Sequence, residues 1–167
     1  MTELTQEQLQ QLLSYDPDTG IFTNLKSRGR VKIGSVAGSK YSNGYICIAI
    51  DSKRYLAHRL IWLYVYGEFP ANQIDHINEV KDDNRLVNLR LATNQENNHN
   101  ISTPNKNNTS GYLGVYWYKP YGKWLAQIKV NGKDKHLGYF DTGEEASKAY
   151  LAAKRKLHQF WVEEKTI

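Results

Sequence analysis

A single cysteine, Cys47, stands in the 167-residue chain. A disulfide framework needs at least two cysteines and a cysteine-based zinc site needs more, so both are excluded. Cys47 lies in the alternating run Gly44-Tyr-Ile-Cys-Ile-Ala-Ile50 and reads as a small buried apolar residue. No apolar stretch approaches the roughly 20 residues of a membrane span, and no basic-flanked apolar segment of secretory type opens the chain. These absences lead to the expectation of a soluble, cytoplasmic protein with no membrane partner. Acidic excess is missing too. The net charge is +5, with 11 Lys/Arg against 11 Asp/Glu in residues 1–104 and 11 against 6 in residues 105–167. A neutral N-terminal part joined to a basic C-terminal part points to a polyanion held mainly at the C-terminal end. The plainer reading is a solvated lysine-rich surface. At this length there is room for one ordinary domain or two small ones.

Thr5-Gln-Glu-Gln8 opens a short helix with a capping-box pattern, and Leu9, Leu12 and Leu13 supply its apolar face. Asp16-Pro-Asp-Thr-Gly20 is a turn in which proline presets φ and glycine supplies a positive one; a short strand, Ile21-Phe-Thr, follows. Residues 26–32, KSRGRVK, hold four positive charges and no acid, which makes them a solvated loop or a phosphate contact. Residues 44–57 pattern as a hairpin turning at Asp51-Ser-Lys. Residues 57–66, AHRLIWLYVY, read as a buried helix ended by Gly67, with His58 and Arg59 at its start. Taken alone, His58 is a structural histidine or a ligand.

Residues 101–110, ISTPNKNNTS, contain one apolar residue and make the best domain boundary in the chain. Beyond them the period changes to two. Residues 112–118, 123–130 and 135–140 alternate as strands, with Asn131-Gly132 a strong hairpin turn. Thr142 caps a helix over residues 144–158, which has acids in its first turn and bases in its last. Three antiparallel strands and one helix make a small α+β module.

Between these parts lie residues 75–100, DHINEVKDDNRLVNLRLATNQENNHN, crowded with asparagine and short of large apolar side chains. Ile74 to Ile77 and Leu89 to Ala92 pattern as strands around a polar loop, and Thr93 with Glu96 has the spacing of a capping box. Strand, loop, strand and helix bring His76, Asn88 and Asn97 within reach of one another. Phosphodiester hydrolysis needs an activated water and charge stabilisation on the phosphoryl and leaving oxygens. A neutral histidine takes the water's proton near neutral pH, and an oxygen-liganded divalent cation serves the rest. In that scheme His76 is the general base, Asp75 and Asn97 hold the metal, and Asn88 locks the loop through backbone bonds. Neighbouring strand residues face opposite ways, so Asp75 and His76 flank one phosphate rather than meet at one atom. Each asparagine taken singly is an ordinary turn or cap residue.

The spacing of His76, Asn88 and Asn97, 12 and then 9 residues, together with HRLIW, DHIN, DNRLVNLRLAT and ENNHN, resembles the HNH endonuclease family. The similarity is to the branch whose final histidine is asparagine, which contains phage- and intron-encoded homing endonucleases, and it spans roughly residues 44–100. It implies a ββα-metal fold with His76 as base, Asn88 as loop-fixing residue, and Asp75 and Asn97 as ligands of a divalent metal, magnesium or manganese. His99 is a substitute ligand that helical geometry turns away from Asn97.

Residues 111–158 resemble the DNA-binding domain of plant ethylene-response and Apetala-type transcription factors. The words that carry this are Gly114-Val115, Gly122-Lys-Trp124, Ala126-Gln-Ile128, LGYFDT at 137–142 and EEASKAYLAAK at 144–154. The resemblance implies a three-stranded sheet laid in the major groove. Tyr116, Tyr118, Lys123, Trp124, Gln127, Lys129 and His136 are then the DNA-facing residues, with Trp124 equally open to sheet packing. Arg59 is a further DNA-binding candidate. The plant domains carry arginine where this chain has Tyr116, Tyr118 and Lys129, so their base preference does not transfer.

The expectation as a whole is an α+β chain. A ββα-metal (HNH) nuclease core with an N-terminal strand and hairpin extension occupies 1–100, a linker 101–110, and the sheet-and-helix DNA-binding module 111–160. The expected activity is that of a metal-dependent, sequence-selective endonuclease of homing type acting on double-stranded DNA. The expected state is a monomer in the cytoplasm of a bacterial or phage-infected cell. The alternative is a DNA-binding regulator whose nuclease core is inactive.

Overall fold

The structure, a computed structural model, describes residues 3–158, so the last two positions of the expected 111–160 module lie outside the described residues. The chain forms two compact units, one running to Thr93 and one beginning at Asn94. Both mix helices with small antiparallel sheets, and the fold class is α+β. Among the described residues no helix is long and apolar enough to cross a membrane.

In the first unit, α1 (Gln6–Leu12) opens on a reciprocal cap: the Thr5 hydroxyl accepts the Gln8 N–H, and the Gln8 side chain accepts the Thr5 N–H. Leu13 does not continue the helix, as its sequence pattern suggests, but opens β1 (Leu13–Asp16), which pairs with β2 (Ile21–Asn24). The burial of Leu13 and Tyr15 with Ser14 and Asp16 outside is a period-two pattern too short to stand out beside a helix. β3 (Ser39–Lys40), β4 (Ile46–Ile50) and β5 (Lys53–Leu56) make a three-stranded sheet in that order. Asp51 and Ser52 both take positive φ, 48° and 65°, so the β4–β5 turn follows the twist of its strands.

α2 (Ala57–Tyr66) buries Ala57, His58, Leu60, Ile61 and Leu63 and ends at Gly67, whose φ of 85° needs no Cβ to be accommodated. β6 (Gln73–His76) and β7 (Leu89–Ala92) form a hairpin pairing Asp75 with Arg90 and His76 with Leu89. Ile74 and Leu89 fasten this hairpin to a core built on Leu9, Leu13, Ile50, Leu60 and Ile61. Truncating such a core leucine to alanine costs about 2–5 kcal/mol. The hairpin is thus a rigid mount, and its polar residues are presented by packed apolar ones.

In the second unit, α3 (Asn94–Asn100) precedes β8 (Val115–Tyr118), β9 (Lys123–Val130), β10 (Lys133–Phe140) and α4 (Gly143–Leu157). The sheet order is β10-β9-β8, all antiparallel. Val115, Ala126 and Ala146 are the centre of its core, flanked by Tyr112, Trp124, Leu137 and Phe140. Thr142 caps α4 with a second reciprocal box to Glu145. Gly114 is required here. A Cβ on it would come within 2.1 Å of the Tyr150 ring and 2.6 Å of the Gln127 carbonyl.

Candidate nuclease centre and nucleic-acid face

His76 ends β6 and is buried, as is Asp75 beside it. Its Nε2 lies 3.1 Å from Oδ1 of Asn84, which is also buried. With that oxygen toward the ring, Nε2 is the donor of the pair; the assignment follows from the orientation of the amide. Burial pushes the His76 imidazole below its usual pKa, while the Asn84 bond and the carboxylates of Asp75, Asp83 and Asp82 pull it back up. A histidine held neutral can accept a proton. His58 meets His76 edge to face at 5.1 Å between ring centroids, and Tyr45 lies against both, at 5.3 and 5.8 Å. Burial first, then the neighbouring His76 and Arg59, push His58 down to about 3. His58 is therefore a neutral packing partner of His76 near pH 7.

The loop between β6 and β7 is held by side-chain amides. Asn88, fully buried, accepts the Asn78 N–H at 3.0 Å and donates to the Asn78 side-chain oxygen at 2.9 Å and the Asp83 carbonyl at 2.7 Å. Its own carbonyl accepts the Ile77 N–H at 2.9 Å. One residue thus ties both strands of the hairpin to the turn between them. The Arg85 guanidinium binds both oxygens of Asp83 at 2.8 and 2.6 Å and, with Asn78 assisting, holds that carboxyl down to about 2.

Asn84 is clamped from the other side. The Tyr15 hydroxyl donates to its carbonyl at 2.9 Å, and a Cβ on Gly20 would lie 2.4 Å from its carbonyl carbon. Neither Asn84 nor these supports is singled out by sequence reading. The only signal is the positive φ that the 17–20 turn demands of Gly20, here 74°.

Asp75 has a partner that the sequence pattern left unassigned. Arg90, directly across the ladder, places two guanidinium nitrogens on Asp75 Oδ2, each at 2.8 Å. Asn97, the other expected metal ligand, sits on α3 and so belongs to the second unit, as does His99, whose ring stacks on His158 at 3.8 Å. Among the described residues no three or more His, Cys, Asp or Glu side chains gather as a metal cage. Arg59 is half-buried and donates to the Pro70 carbonyl at 3.2 Å.

In the second unit, register decides which side chains share a face. Tyr116, Tyr118, Lys123, Gln127, Lys129 and His136 lie on the face of the sheet turned away from α4, since Tyr116 opposes Leu125, Tyr118 opposes Lys123 and His136 opposes Gln127. The Tyr116 hydroxyl donates to the Gln127 side chain at 2.6 Å, and Lys123 and Lys129 pair with Asp141 and Asp134 at 3.0 and 3.9 Å. Trp124 is placed otherwise: it opposes Trp117 and Phe140 and packs on the helix side with Val115 and Ala126. Of its two expected roles, sheet packing is the one its position serves. The exposed face instead carries Tyr121 and Tyr139, which the sequence reading passed over. Tyr118, Tyr121, Tyr139 and His136 form one aromatic patch with successive centroids 4.7 to 5.2 Å apart.

Two buried asparagines locking a hairpin around a neutral histidine, joined in one chain to a three-stranded sheet with an exposed aromatic and basic face, define a nucleic-acid hydrolase with an attached binding module. The HNH endonuclease family model matches residues 55–99, and the AP2 domain model matches residues 110–159. Protein 3.8 of Escherichia phage T7 is 35% identical over 102 residues, covering 60% of this chain and 83% of that protein. An uncharacterized HNH endonuclease, L560, of Acanthamoeba polyphaga mimivirus is 27% identical over 157 residues, covering 86% of this chain and 80% of the viral protein. Ethylene-responsive transcription factor ERF084 of Arabidopsis thaliana is 49% identical over 51 residues, which are 29% of this chain and 20% of the plant protein. The chain belongs to the HNH endonuclease family and carries an AP2 domain in its C-terminal part. It is a nuclease, and DNA is its partner.

Proposed function

We propose that the protein is a metal-dependent, sequence-selective endonuclease of homing type, cutting double-stranded DNA with His76 as general base. The observation that carries this reading is the buried His76, whose ring is oriented by Asn84 and which burial holds toward the neutral form. In that form the imidazole takes the proton of the attacking water, while Asn88 holds the loop that presents it. Arg90 fixes the carboxylate of Asp75 by one oxygen.

Asp75 and Asn97 are the residues that would hold the cation, and their donors are hard oxygens, which suit magnesium, or manganese, better than zinc. When bound, the cation supplies Lewis-acid stabilisation of the phosphoryl and leaving oxygens. Residues 1–100 act as the cutting part, 101–110 as linker and 111–160 as the part that supplies most of the DNA affinity. The protein works as a monomer in the cytoplasm of a bacterial or phage-infected cell.

The deciding experiment incubates supercoiled plasmid and phage DNA with wild type and His76→Ala, with magnesium, with manganese and with EDTA. Cleavage by wild type alone, and only with metal, supports the proposal. DNA binding with no metal-dependent cleavage under any condition sinks it and leaves the regulator with an inactive core.

A further inference from the structure

The first unit contains a groove that the chemistry above does not use. It encloses about 550 Å³ and is lined by Arg28, Arg30, Lys32 and Arg54, with no aspartate or glutamate in its wall. None of these four cations has a carboxylate partner among the described residues, although the region to which they belong is neutral overall. Arg54 lies over the ring of Tyr41, another wall residue, at 5.7 Å, which holds its guanidinium at the rim. Nε of Arg28 is buried and has no hydrogen-bond acceptor. Like charges gathered without counter-charges repel, and a buried donor without an acceptor is costly, so this arrangement is unfavourable until an anion enters. Residues 36–39 also wall a second cleft whose lining includes Asn84, the partner of His76.

We propose that this groove binds the phosphodiester backbone of duplex DNA, as a second anchor on the cutting side of the chain. The inference rests on the nuclease reading for the identity of the polyanion. Arginine guanidinium groups match phosphate oxygens in pairs, and the Arg28 Nε–H gains the acceptor it lacks. A strand held here lies along a wall shared with the cleft that reaches Asn84. The groove thereby gives a basic C-terminal module and a neutral N-terminal part a common substrate.

Cys47 lines the same groove and is the chain's single cysteine, so its alkylation rate reports occupancy directly. The test uses the full chain carrying His76→Ala, so that DNA stays intact, with iodoacetamide and a gel shift run in parallel. Duplex DNA is expected to slow alkylation of Cys47. The triple variant Arg30→Gln, Lys32→Gln, Arg54→Gln, all at exposed positions, loses that protection. Each phosphate contact removed flattens the slope of log K against log salt by about 0.9, so the triple variant loses roughly two to three from it. Lys53→Gln, next to Arg54 in β5 but outside the groove, leaves slope and protection unchanged. Unchanged alkylation with DNA demonstrably bound overturns the proposal, as does an unaltered slope in the triple variant. Equal protection by single-stranded RNA overturns the assignment to duplex DNA. Cys47 protection without cleavage by wild type leaves the groove standing and removes the nuclease reading; cleavage without protection does the reverse.

Discussion

The ring of His76 and the amide of Asn84 are joined at 3.1 Å, and Asn84 is backed by Tyr15 and Gly20, 69 and 64 residues earlier in the chain. The bond fixes the orientation of the imidazole. Asn84→Ala is expected to lower kcat by up to about 100-fold, the cost of a misplaced base, with KM little changed. Because the bond raises the His76 pKa, its loss moves the acid limb of the pH–rate profile to lower pH. A variant that is merely less stable, with kcat and the acid limb intact, counts against a positioning role.

Gly20→Ala tests the same support from 64 residues away. The new Cβ meets the Asn84 backbone at 2.4 Å, and φ is 74°. Strain and displacement together should cost about 1–3 kcal/mol in urea unfolding, with a loss of kcat like that of Asn84→Ala. Full activity in Gly20→Ala separates the turn from the site.

His58 links pH to folding. Its pKa is about 3 folded, against 6.5 in the free side chain, so the unfolded chain binds the extra proton between those values. The stability it contributes is complete above about pH 6.5 and is lost progressively as pH falls toward 3. His58→Gln is expected to flatten the dependence of unfolding free energy on pH over that window. An unchanged slope shows that His58 is not the group responsible.

On the AP2 sheet, Tyr121→Ala and Tyr139→Ala should each weaken duplex binding roughly tenfold, about 1.4 kcal/mol, with melting little altered for exposed Tyr121. Trp124→Ala should instead destabilise the second unit by about 2–4 kcal/mol. Calorimetry and gel shifts on the same proteins distinguish the two. A Trp124→Ala protein that melts like wild type but fails to bind would return the tryptophan to the DNA face.

Local signals were readable in the sequence where one residue dictates backbone geometry. The helix ending at Gly67, the turns at Asp51-Ser52 and Asn131-Gly132, the capping box at Thr5 and the cap at Thr142 stand where caps and positive φ require them. Asn88 was recognisable as a loop residue because its partners, Asn78 and Asp83, are 10 and 5 positions away. Asn84 was not, because its supports lie across the fold; Tyr15 is 69 residues distant. The same limit left Trp124 open between DNA contact and sheet packing. Register sets which of two adjacent strand residues faces outward, and register is a property of the pair. Asp75 sits between these cases, since its counter-ion Arg90 is on the next strand and emerges only once the hairpin is in register.

The bonds that Asn88 makes are amide to amide and amide to backbone, with no net charge on either side. Neutral bonds of this kind respond weakly to ionic strength, whereas the grip of lysine and arginine on phosphate falls steeply with it. Salt therefore acts on capture and leaves the shape around His76 alone. Concentrated salt should release the DNA from a protein whose cutting centre remains assembled and ready for the next encounter.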